Sequence, residues 1–342
     1  MPQHTFTKPI LLVPMVLITF GWLSMSAVHG QFKPPLTAVS QDFGPGQFSN
    51  EHTSLWVFSD EVSTLAKRRT LVNRSVACGV DAIYVSVYRA IQNHSGRKMF
   101  EDADIADLIK RARERNIEVW AAYGDVDWHT QGCSQNSFPI LRMNEVIEYN
   151  QANSENRFDG VMLDCEPDGN QAIFMPMLLE LYGCIAQDLS NHNIRTGAAI
   201  RFFWDELVFS PIDFSFKPGY EHLLDLDIEQ VVVMGYRDFA GNGDDNGINQ
   251  LDRDEVYYAS DIGKFRSVLV GLETGNCAPG CGPEQITFYE EGLASMKRAA
   301  NEVADFFALE QGFGGFSIHR YNDAFLSETG KWQSDFVPVR HR

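Results

Sequence analysis

A rhythm constrains this chain more than any single residue does. Eight short runs of apolar, β-branched or aromatic residues recur along it, at 55–58, 82–88, 119–123, 158–167, 196–202, 231–236, 268–273 and 315–321. Helical patterns separate them, over 61–76, 104–116, 140–149, 171–189, 220–227, 253–262 and 284–309. In the second of these, Ile105, Leu108, Ile109 and Ala112 fall at i, i+3, i+4 and i+7, the spacing of one helix face. Strands alternating with helices predict parallel βαβ units joined by right-handed crossovers. A count of eight favours closure over an open sheet. The expected fold is α/β, a (β/α)8 TIM barrel over residues 51–342, one domain with loop insertions. Residues 205–218 fit neither pattern and are expected to form an excursion over the top face.

In a strand, successive side chains point to opposite faces. Across Phe158-Asp159-Gly160-Val161-Met162-Leu163-Asp164-Cys165-Glu166-Pro167, one face carries Gly160, Met162, Asp164 and Glu166, and the other Val161, Leu163 and Cys165. The second suits packing under helices. The first ends in two carboxylates, and barrel enzymes build their sites from the C-terminal ends of strands. The same alternation places Val232, Met234, Tyr236 and Asp238 together in the sixth run, Leu269, Gly271 and Glu273 in the seventh, and Gly315, Ser317, His319 and Tyr321 in the eighth. Arg201 precedes the aromatic run Phe202-Phe203-Trp204, and Asp125, Asp127 and His129 follow the third strand. Expected substrate contacts are Arg201, Trp204, Asp238, His319, Tyr321 and Asp125, with Trp204, Trp128, Tyr236 and Tyr321 offering flat apolar faces for sugar rings.

Two carboxyl groups flanking a glycosidic bond suffice to break it, one as proton donor and one to stabilise or attack the cation-like carbon. Asp164 and Glu166, neighbours on one strand, fit a different division. A hydrogen bond from Asp164 would raise the pKa of Glu166 and keep it a proton donor.

This fourth-strand stretch resembles the signature D-G-x-D-x-D-x-E of family 18 glycoside hydrolases, the chitinase-like barrels. Asp159, Gly160, Asp164 and Glu166 match, and Met162 stands where the family has its first inner Asp. Met234-Gly235-Tyr236 resembles the family's sixth-strand M-x-Y, with Arg237 and then Asp238 where an Asp should follow directly. The eighth strand lacks the family's platform Trp, leaving His319 or Tyr321 in that area. The resemblance implies a glycosidase with Glu166 as general acid, Asp164 assisting and Tyr236 holding an acetamido group that serves as nucleophile. Two further schemes stand beside it. One is a retaining glycosidase with Glu166 as acid/base and Glu273, between Gly271 and Gly275, as nucleophile. The other is a catalytically silent, lectin-like barrel.

The formal charge of −18 argues against nucleic acid and anionic membranes as partners, and the glycosidase resemblance implies an oligo- or polysaccharide, met by a monomer. Residues 1–30 carry Lys8, an apolar stretch and small residues before Gln31, the pattern of a signal peptide cleaved after Gly30, with 31–50 as a linker. Export would leave no membrane attachment and would permit disulfides. Of Cys78, Cys133, Cys165, Cys184, Cys277 and Cys281, the pair Cys277–Cys281 closes the tightest loop. The other four leave their pairing open. Asn73 and Asn93 head glycosylation sequons. No cofactor is expected, and the cysteine and histidine spacings do not make a zinc site. A metal-dependent hydrolase using Asp125, Asp127, His129 and His319 is the remaining alternative. Residues 242–247 are acidic but lack a closing Glu, which predicts a turn rather than a calcium loop.

Overall fold

The computed structural model describes residues 51–89, 98–99, 102–167, 171–209, 216–276 and 284–321. The expected leader and linker, Asn93, Cys277 and Cys281 lie outside these residues. Eight parallel strands close into a barrel: β1 His52–Val57, β2 Ala82–Ser86, β3 Glu118–Gly124, β4 Gly160–Asp164, β5 Arg195–Arg201, β6 Gln230–Met234, β7 Val268–Glu273 and β8 Phe313–His319. Each pairs with its sequence neighbour, and β8 closes on β1.

The helices are α1 Leu65–Cys78, α2 Asp102–Arg113, α3 Phe138–Ala152, α4 Gln171–Asn191, α5 Gly219–Asp225, α6 Ile248–Leu251, α7 Arg253–Asp261 and α8 Leu293–Phe306. Their ends carry local signals. Thr64 caps α1 by accepting from the Lys67 amide, and α2 opens on Asp102 and Asp104 and closes on Lys110, Arg111 and Arg113, charges that oppose its dipole. The predicted helix over 284–309 is shorter than its pattern. A single 3-10 turn, Glu284–Ile286, precedes a non-helical stretch, and the helix starts only after Gly292, whose φ of 82° favours glycine. Phe288 is nonetheless fully buried, so the apolar period reports packing there and not helix. The excursion at 205–218 contains a two-stranded ribbon, Val208–Phe209 with Lys217–Pro218, and a second ribbon pairs Tyr88–Arg89 with Lys98–Met99.

Strand alternation separates two cores. Outward residues such as Val161, Leu163 and Cys165 pack under the helices. Inward residues Trp56, Ala82, Tyr84, Trp120, Ala122, Met162, Ala199, Val232 and Leu269 fill the bore. Trp56, Tyr84 and Trp120 meet edge to face at 5.3 and 5.8 Å between centroids. Their polar tips are satisfied: Trp56 Nε1 donates to Ser317 Oγ at 2.9 Å, Tyr84 to Gln230 Oε1 at 2.6 Å and Trp120 Nε1 to Glu118 Oε2 at 3.0 Å. Met162 lies across Gly197, where a Cβ would come within 2.5 Å of its Cε. The position that the resemblance reserves for a carboxylate is therefore a packed piece of core.

One disulfide joins Cys133, beyond β3, to Cys184 on α4. Cys78 and Cys165 are buried free thiols whose ionisation burial opposes. Asn73 is exposed on α1, but Ser75 of its sequon is buried inside the same helix. No described helix is long and apolar enough to cross a membrane.

Candidate active site

The C-terminal ends of β4, β5, β6, β7 and β8 bring their polar residues to one place. Asp164 ends β4 facing the bore. Its Oδ1 is shielded from solvent and has no hydrogen-bond partner. Burial, reinforced by the charge of Glu166, pushes its pKa up to about 7, against the opposing pull of His319 and Arg201. Glu166 follows beyond the strand end. It does not take a hydrogen bond from Asp164. Instead its Oε2 accepts from Arg201 Nε at 2.7 Å, with both side chains about one third exposed (35% and 31%). The expected arrangement is thus reversed: the carboxyl that resists ionisation is Asp164, and Glu166 is ion-paired to the last residue of β5.

Glu273 and His319 are register partners at the ends of β7 and β8. His319 Nδ1 lies 2.7 Å from Glu273 Oε2, while Glu273 Oε1 accepts from the amides of Thr274 at 2.8 Å and Gly275 at 2.6 Å. Both oxygens of this buried carboxyl are engaged. Tyr236 stacks on His319 at 6.3 Å and 24°. Its ring also lies against Gly271, where a Cβ would approach Cε1 to 2.9 Å, so glycine makes room for it. Burial and the nearby charges of Glu273, Asp164 and Glu166 hold the Tyr236 hydroxyl well above its ordinary pKa. Asp164, Glu166, Arg201, Tyr236, Glu273 and His319 therefore form one cluster.

Other expected contacts are not brought there. Trp204 is 2% exposed, turned into the outer core by the 3-10 turn Phe202–Asp205, and presents no face to a ligand. Tyr321 is also 2% exposed in the outer core, because the chain has left β8 before reaching it. Trp128 is buried against Tyr123 and Phe138. Asp125 sits beside β4, its amide 3.3 Å from the Asp164 carbonyl, but its side chain accepts from the Asp127 amide within its own loop. Asp238 is half-buried, its amide donating to the Gln285 carbonyl. His129 is buried against Phe174 of α4 at 4.5 Å, remote from the Glu273-bound His319, so the proposed metal set is not assembled. Among the described residues no three metal-binding side chains cluster. Residues 242–247 form a turn in which Asp245 accepts from the amides of Asn242 and Gly247.

Three groups escaped the sequence reading. Phe58, 41% exposed beyond β1, meets His319 edge to face at 5.8 Å, and the Arg320 guanidinium lies 5.0 Å over it. Alternation applied to β1 would have found it, two positions beyond the inward Trp56. Arg237 donates to the Asn246 carbonyl at 3.0 Å and lies 5.6 Å over Phe202. Asp252, between α6 and α7, and Glu255, in the first turn of α7, are buried with no partner on either oxygen, and burial raises both pKa values well above the carboxylate range.

No protein-family model and no curated protein matches the sequence. Solved structures do. The chain is similar to a chitinase from Bacteroides thetaiotaomicron (11% identity, 85% of this chain and 98% of that one, TM-score 0.52). It is similar to a class V chitinase from Pseudomonas fluorescens (11%, 84% and 99%, TM-score 0.51) and to a chitinase from Rhizomucor miehei (14%, 84% and 99%, TM-score 0.50). At these identities the likeness is one of fold. The chain is a (β/α)8 barrel with the fold of these chitinases.

Proposed function

We propose that the protein is an exported glycoside hydrolase in which Glu166 protonates the leaving oxygen of a glycan and Asp164 supports it. The observation that carries this reading is the gathering of Asp164, Glu166, Tyr236, Glu273 and His319 at the C-terminal end of a chitinase-like barrel. Two adjacent carboxyls in different environments, one resisting ionisation and one ion-paired, are the raw material of acid catalysis. Asp164 holds a proton up to about pH 7 beside Glu166, which lowers the negative charge that the pair carries. Tyr236 keeps its hydroxyl protonated and can donate to a substrate acetamido or hydroxyl oxygen. Glu273 is less suited to attack a sugar carbon, since both its oxygens already accept hydrogen bonds. It fits a role in fixing His319. The Cys133–Cys184 disulfide supports the proposed export, because such bonds persist in oxidising compartments.

The Arg201–Glu166 pair favours a second reading, a binding-only barrel, because a carboxylate accepting from a guanidinium presents no proton. Comparing wild type with Glu166→Gln on aryl glycosides and polysaccharides, N-acetylglucosaminides included, separates the two. A hydrolase shows turnover that falls by roughly 10²-fold or more in the variant, the scale of a lost general acid. A lectin shows no turnover and equal glycan binding by both proteins.

A further inference from the structure

We infer that the glycan recognised at this site carries a carboxylate, and that this carboxylate takes Arg201 from Glu166 when it binds. The inference rests on the glycan reading above and names the substrate class within it. Arg201 ends β5 in register with Met234 of β6, and its guanidinium lies 5.9 Å from the Phe203 ring. A planar, always-charged group braced beside an aromatic ring is suited to a planar anion, which it meets through two parallel N–H donors. Among its present partners is a carboxylate of the protein's own, Glu166. The pair is not sealed: both side chains are about a third exposed to solvent at the C-terminal end of the barrel. A half-exposed ion pair contributes little net stability, so an incoming carboxylate of the same chemistry can displace it.

The charge around the mouth points the same way. The chain as a whole carries −18, yet arginines stand at or just beyond the ends of the adjacent strands β5 and β6, Arg201 and Arg237, and a third, Arg320, follows β8 beyond the intervening β7. Arg237 and Arg320 each lie over an aromatic ring, Phe202 and Phe58. Among the acidic groups near the mouth, Glu273 is engaged by His319 and two amides, the Oδ1 of Asp164 is shielded from solvent, and Asp238 and Asp252 act on Arg237, which leaves the Arg201–Glu166 pair as the exchangeable one. Exchange has a chemical consequence. Glu166 leaves the guanidinium and stands beside Asp164, free to face the glycosidic oxygen of the bound glycan. A neutral sugar offers Arg201 no replacement anion and leaves Glu166 paired.

The test uses two matched pairs of oligosaccharides. A tetrasaccharide of alternating N-acetylglucosamine and N-acetylmuramic acid is set against chitotetraose, which has free 3-hydroxyls in place of the 3-O-lactyl groups that carry the carboxylates. A tetrasaccharide of alternating glucuronic acid and N-acetylglucosamine is set against its carboxyl-reduced form. Binding is measured by calorimetry on the full chain and on Arg201→Gln, Arg201→Lys and Glu166→Gln. The expected result is at least a tenfold preference for one carboxylated member, lost in Arg201→Gln and only partly kept in Arg201→Lys. Glu166→Gln removes the competing anion. It should tighten the carboxylated ligand roughly fivefold relative to its neutral counterpart, the scale of one exposed ion pair. This arm stands even where an Arg201 variant fails to fold. Equal binding of neutral and carboxylated members overturns the inference and leaves the glycan reading intact. Binding of neither, in either pair, overturns both.

Discussion

Replacing Asp164 by Asn tests the electrostatics of the site without relying on any substrate. A carboxyl with a pKa near 3.9 in the unfolded chain and about 7 in the folded one binds its proton more tightly when folded. Between those two values the native state holds more protons than the unfolded state, so stability falls as pH rises. The contribution is complete below about pH 4, declines through the interval and levels off above about pH 7. At about 1.36 kcal/mol per decade of proton affinity, the loss integrates to about 4 kcal/mol. Asparagine does not ionise. Its amide has no partner at the buried Oδ1 position, which costs about 1–3 kcal/mol, but that cost is the same at every pH. Urea unfolding of both proteins at half-unit steps from pH 4 to pH 8.5 isolates the effect as a difference of differences. The variant should gain up to about 4 kcal/mol on wild type between the two ends of the range, with most of the change between pH 4 and pH 7. Curves that stay parallel, offset by a constant amount, would refute the assignment of a bound proton to Asp164.

Asp252→Asn should also flatten the pH dependence, raising stability at pH 8 relative to pH 5, because Asp252 is buried, unpartnered and reluctant to ionise; the same urea series reads it. Met162→Ala should cost about 2–5 kcal/mol by opening a cavity over Gly197, and a cost below about 1 kcal/mol would mean that the bore collapses to fill it. The double variant Cys133→Ser, Cys184→Ser should lose about 3–4 kcal/mol, as expected for releasing a cross-link between residues 51 apart in sequence, seen as a lower urea midpoint.

The barrel was legible because its signal repeats eight times, and one misread boundary does not change the count. Alternation also located Asp164, Arg201, Glu273 and His319 on the inner face, since period two holds as long as the chain stays extended. It failed where the chain leaves the strand. Trp204 belongs to a 3-10 turn, and Tyr321 comes two residues after β8 ends, so counting by twos no longer says where either points. The helical period over 284–309 was genuine as a pattern of burial, but the backbone reaches Phe288 without a helix. The roles within the carboxyl pair were not legible at all. They depend on Arg201, 35 residues further along the chain from Glu166, and on how deeply Asp164 is enclosed, and neither is a property of the local stretch.

The aromatic rings of Trp56, Tyr84 and Trp120, tied off by Ser317, Gln230 and Glu118, make the cleft blind. Nothing threads through this barrel. A polymer bound here has to lie across the mouth, and whatever enters leaves by the opening it came in. Arrival and departure then compete for the same doorway, so a product that lingers excludes the next molecule.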